Sequence, residues 1–132
     1  MKALLALLLL GPTIAFASAP VAVPDELRCY EPNHAPDHAW SAIIRKGYEA
    51  QITEESLTGP RRLTRLRCQQ VANPHPERPG YTIYCQQNAR FGYVLTVSNS
   101  FFRTTARLDQ RVFPRGTRML TTLVCGSGGI RR

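Results

Sequence analysis

The sequence predicts an α+β domain: one N-terminal amphipathic helix packed on a twisted antiparallel β-sheet of about four to five strands, with two disulfides. Three observations predict it. Residues 37–51 place Trp40, Ile43, Ile44, Gly47 and Tyr48 at helical spacing with no internal proline. Residues 61–125 break into runs rich in β-branched and aromatic residues, separated by turn formers. Four cysteines, Cys29, Cys68, Cys85 and Cys125, form an even set behind an export signal.

The export signal comes first along the chain. Met1-Lys2 is followed by an unbroken apolar run, Ala3 to Leu10, then by Gly11-Pro12 and small residues. This is the layout of a secretory signal peptide, and the run is shorter than the roughly 20 residues that span a bilayer. Ala15-Phe16-Ala17 fits the small-x-small cleavage rule, which makes 1–17 the signal and 18–132 a single secreted domain. Ala17-Ser18-Ala19 also fits, so cleavage after residue 19 is the alternative. The expected location is extracellular, with entry into a host cell left open. No membrane anchor is expected in the mature chain, and the expected state is a monomer.

Residues 18–36 hold four prolines and read as an extended segment pinned at Cys29. Pro36 and Asp37 suit the first turn of the helix expected over 37–51, through fixed φ and dipole complementarity. In residues 61–71, Leu66 and Cys68 alternate with Arg65 and Arg67. Residues 72–80, with three prolines and a glycine, read as a loop. Strands are expected at Tyr81–Gln87, Phe91–Val97, Phe101–Leu108 and Thr117–Cys125, with a short piece at Arg111–Phe113. In an oxidising compartment four cysteines allow three pairings. The favoured one joins Cys29 to Cys125, tying the ends, and Cys68 to Cys85, closing a hairpin. The tail from Gly126 is expected to fray.

Charge divides the chain. Residues 18–55 hold Arg28, Arg45 and Lys46 against seven acids, whereas residues 56–132 hold thirteen arginines, no lysine, and only Glu77 and Asp109 as acids. Arginine offers a planar fork that pairs with phosphate and stacks on bases. If Leu66, Cys68, Phe102 and Leu108 face the helix, then Arg65, Arg67, Arg103 and Arg107 face outward as one positive face. Such a face with stacking rings at its margins is suited to single-stranded RNA. The alternatives are a solvated sheet face, and a protein-binding module whose anchors are aromatic.

Candidate chemistry is sparse. His34 and His38 stand four apart without a third metal ligand nearby, so no metal and no cofactor is expected. His75 and Glu77 together provide groups able to accept and donate a proton.

The order of signal peptide, cysteine, helix with Ala42-x-x-x-x-Gly47-Tyr48, loop, sheet and terminal cysteine resembles the microbial guanyl-specific ribonuclease and ribotoxin superfamily, and the secreted fungal ribonuclease-like effectors. Phe91 to Thr96 resembles the central strand of that family. Asp109-Gln110-Arg111-Val112-Phe113-Pro114 resembles its Asp-Arg-Val-Val-Phe stretch, which implies a phosphate-binding role for Arg111. Asn73-Pro74-His75 resembles its Tyr-Pro-His, with Gly59-Pro60 as a rival alignment. The family's strand glutamate and C-terminal histidine are both missing. The resemblance therefore implies an effector that binds RNA or a host protein through Arg65, Arg67, Arg103, Arg107 and Arg111 without efficient catalysis. An active ribonuclease using His75, Glu77 and Arg111 is the alternative.

Overall fold

The computed structural model describes residues 22–46, 48–72, 80–100 and 103–127. These residues form eight strands: β1 (Glu26–Tyr30), β2 (His38–Arg45), β3 (Glu49–Ser56), β4 (Arg62–Val71), β5 (Gly80–Gln86), β6 (Tyr93–Ser100), β7 (Arg103–Arg111) and β8 (Thr117–Ser127). Each strand pairs antiparallel with the next, and β1 pairs with β8, so the sheet closes into an up-and-down barrel. The described residues are all-β. The α+β fold, and with it the ribonuclease-like arrangement of a helix on a sheet, is not the fold of this chain.

The helix expected over 37–51 is instead the hairpin β2–β3. Trp40, Ile44 and Tyr48 stand four apart, and an interval of four keeps one face in a strand as well as in a helix. The residues between them decide. A helix would place Ile43 and Ile44 on one face, but Ile44 is buried in the barrel and Ile43 points outward. Lys46 adopts a left-handed φ of 56°, and Tyr48 N donates to Arg45 O at 3.1 Å, which closes a turn. The β-branched residues of 43–53 favour the pleated alternative.

The remaining strands agree more closely with the expectation. Residues 103–111 form one continuous strand rather than two pieces, and β1 forms where the sequence suggests only an extended segment. Gly126 and Ser127 still belong to β8. The expected signal peptide lies outside the described residues.

Alternation fills the barrel. Leu27, Ile44, Ile52, Leu66, Ile83, Leu95, Leu108 and Leu123 are fully buried, one from each strand. An eight-stranded barrel has an interior just wide enough for side chains to fill it. Each of these residues contributes roughly 1.5–3 kcal/mol by leaving water. The outer face carries arginine, glutamine and threonine, the reverse of a membrane-spanning barrel, whose outer band is apolar. No helix among the described residues is long and apolar enough to cross a membrane.

The disulfides pair as favoured. Cys29–Cys125 crosses the seam between β1 and β8, and Cys68–Cys85 crosses that between β4 and β5. The two seams lie on opposite sides of the barrel, so the bridges divide it into two four-stranded halves. Each pair stands directly opposite in register, with both side chains pointing inward. Two disulfides are compatible with an extracellular location.

Candidate nucleic-acid interface

A meander turns sequence position into angular position around the barrel. The acidic first half of the chain becomes the wall β1–β3, and the arginine-rich second half becomes β4–β8. Among the described residues, the stretch from Leu57 onward carries ten arginines and a single acid, Asp109. The barrel is therefore electrostatically two-sided.

Arg65 and Arg67 point outward from β4, and Arg103 and Arg107 from β7, all exposed. Their outward direction is as expected, but they do not sit on neighbouring strands. Strands β5 and β6 stand between the two rows. Three inter-strand steps of roughly 4.8 Å put the rows about 14 Å apart along the wall. The strip between them is polar: Gln69 and Tyr84 are paired across β4 and β5, and Thr96 and Ser98 follow on β6. Two shallow depressions lie along it, the second reaching past the β7 arginines onto β8. One, of about 290 Å³, is bordered by Arg67, Gln69, Tyr84 and Gln86. The other, of about 410 Å³, is bordered by Thr96, Ser98, Thr105, Arg107, Asp109 and Thr122, among others.

The arginines differ in how far they are engaged. Arg107 Nε donates to Asp109 Oδ1 at 3.0 Å, which pairs the buried Asp109 carboxylate while most of the guanidinium stays in solvent. No carboxylate among the described residues lies within ion-pair reach of Arg65, Arg67 or Arg103. Arg111 is the exception. Its Nε donates to Asn88 O at 2.9 Å, and its Nη2 donates to Tyr84 Oη at 3.2 Å and Gln86 Oε1 at 2.6 Å. A guanidinium so engaged acts as an internal clamp. It holds the outward Tyr84 ring at the centre of the strip.

Tyr84 is the residue that sequence reasoning passed over. Its direction was available: if Cys85 must face Cys68 inside the barrel, the neighbour at 84 must face out. His75, Glu77 and Phe102 lie outside the described residues.

His34 and His38 border one shallow depression but engage different partners. His34 Nδ1 lies 2.7 Å from Ala35 O, whereas His38 Nε2 lies 2.8 Å from Glu54 Oε2. His38 meets Trp40 edge to face, and Trp40 meets Tyr93 the same way, at the barrel end opposite the Lys46 turn. Glu31 seals this end: its Oε1 accepts from Trp40 N at 3.0 Å and its Oε2 from Thr121 Oγ1 at 2.5 Å. Burial raises the pKa of Tyr93, the Glu54 carboxylate raises it further, and Arg62 opposes both.

Comparison with protein-family models, with curated proteins and with solved structures finds no match to this chain.

Proposed function

We propose that this chain is a secreted binding module that holds single-stranded RNA along the wall from β4 to β7, without cleaving it. The observation that carries the reading is the pair of exposed arginine rows, Arg65/Arg67 and Arg103/Arg107, on either side of a strip of hydroxyls, amides and the Tyr84 ring. Phosphates spaced along a strand would meet the guanidinium forks of both rows, and a base between them would stack on Tyr84. The disulfides suit a protein that works outside the producing cell, as an effector meeting host RNA would.

The test is a gel shift with single-stranded RNA, using the oxidised chain from residue 18. Binding is expected to weaken steeply with salt, with a slope of about 0.7 per phosphate contacted. Changing Arg65, Arg67 and Arg103 together to glutamate should abolish the shift and leave the barrel intact, with Arg107 kept because it pairs the buried Asp109 carboxylate. Equal affinity in the wild type and this variant would remove the reading. Cleavage that disappears in His75→Ala would make the chain an enzyme instead.

A further inference from the structure

The barrel end that carries Trp40 and Tyr93 is also where three connections present exposed apolar residues. In an antiparallel meander every second connection emerges at the same end. Those following β3, β5 and β7 carry Leu57, Phe91 and Phe113, which are 78%, 61% and 97% exposed. A single exposed apolar residue is ordinary, but three in adjacent connections on one rim are not. Their placement is built in. Gly92 has a φ of 91°, and a side chain there would collide with that of Gln87, so the hairpin turns tightly behind Phe91. Val112 N donates to Gly116 O at 3.1 Å, closing the loop that carries Phe113.

Two of these positions, Phe91 and Phe113, have a basic shoulder. Arg90 precedes Phe91 and Arg115 stands two residues beyond Phe113, both exposed, whereas Leu57 N donates to Asp37 O at 3.1 Å and Arg61 stands four residues on. Arg61 is partly neutralised by Glu55 at 3.4 Å. The fourth connection on this rim, between β1 and β2, brings Glu31 and Asp37 instead. The rim is thus apolar and cationic at the β5–β6 and β7–β8 connections, acidic at β1–β2, and mixed at Leu57, which is bonded to Asp37.

We propose that this rim docks the barrel onto an anionic lipid bilayer, with Phe91 and Phe113 entering the headgroup region and Arg90 and Arg115 meeting lipid phosphates and carboxylates. Charge complementarity selects this occupant. Separate protruding tips, each apolar at the apex and basic at the shoulder, match a soft planar anionic surface. Affinity for such a surface scales with the apolar area buried plus attraction to anionic lipid. The acidic β1–β2 connection tilts the barrel, holding β1–β3 away from the membrane. This inference does not rest on the RNA reading, because the tips lie on the rim and not on the β4–β7 wall.

The experiment is co-sedimentation of the oxidised chain from residue 18 with phosphatidylcholine vesicles, with and without phosphatidylserine. Binding is expected only when phosphatidylserine is present. Phe91→Ser and Phe113→Ser change no charge, and each should weaken binding about tenfold. Both side chains are exposed, so the variants should keep wild-type circular dichroism and RNA retention. In Phe113→Trp, the added fluorescence should shift to the blue on mixing with these vesicles. Absence of binding, or equal binding by the Phe91→Ser/Phe113→Ser double variant and the wild type, would overturn the proposal. So would an emission spectrum of the Phe113→Trp variant that stays unshifted on mixing.

Discussion

Arg111 Nη2 on β7 donates to Gln86 Oε1 on β5 at 2.6 Å, across the intervening strand β6. On β6, Val94 points outward between its register partners Gln86 and Asp109 yet is only 4% exposed. One residue, Arg111, therefore fixes Tyr84 and joins β5 to β7.

Arg111→Ala should lower the stability of the barrel by about 2 kcal/mol, since hydrogen bonds from a charged group contribute roughly 1.5–3 kcal/mol. Urea unfolding measures this. Arg111→Lys should recover only a part, because an ammonium cannot reproduce the fork. A direct phosphate ligand would show the opposite pattern, with RNA affinity lost at unchanged stability.

The two disulfides should contribute unequally. Cys29–Cys125 closes a separation of 96 residues and Cys68–Cys85 one of 17. The chain-entropy model assigns them about 4.7 and 3 kcal/mol. Replacing Cys29 and Cys125 by alanine should therefore lower Tm more than replacing Cys68 and Cys85, as calorimetry would read. The reverse order would mean that the β4–β5 seam, and not the closing seam, limits the barrel.

Alkaline pH should destabilise the fold. Burial raises the pKa of Tyr81 above the ordinary value of 10.0, with a hydrogen bond to Thr104 opposing it, and Tyr93 is raised as well. A raised folded value means that the folded state keeps its proton longer than the unfolded chain does. The stabilisation is fully present below about pH 10 and is lost as pH rises through the folded values. Urea midpoints should be flat from neutrality to about pH 9 and fall beyond about pH 10. Tyr81→Phe should flatten that fall, and a profile unchanged by the substitution would refute the assignment.

Much of the barrel wall was legible in the sequence. Leu66 and Cys68 alternate with Arg65 and Arg67, and a strand pleat separates them in the only way that buries the first pair. The same parity ties Tyr84 to the outside through Cys85. Residues 37–51 were not legible, because Trp40, Ile44 and Tyr48 satisfy both periods and the turn at Lys46 is short. Helix capping signals at Pro36 and Asp37 are local, whereas closure is not. The hairpin β2–β3 is needed to carry the sheet from β1 round to β4, and without it strand edges would remain unpaired.

By itself the sequence determined the inward set of β4 and of β7 as far as Leu108, the uneven charge and the even cysteine count, since each depends on residue type or a two-residue repeat. Only the tertiary structure decided that β1 meets β8, that Arg65 and Arg103 stand three strands apart, and that Leu57, Phe91 and Phe113 share one rim. Those relations join residues far apart in the chain, and closure of the barrel, which no local spacing records, is what brings them together.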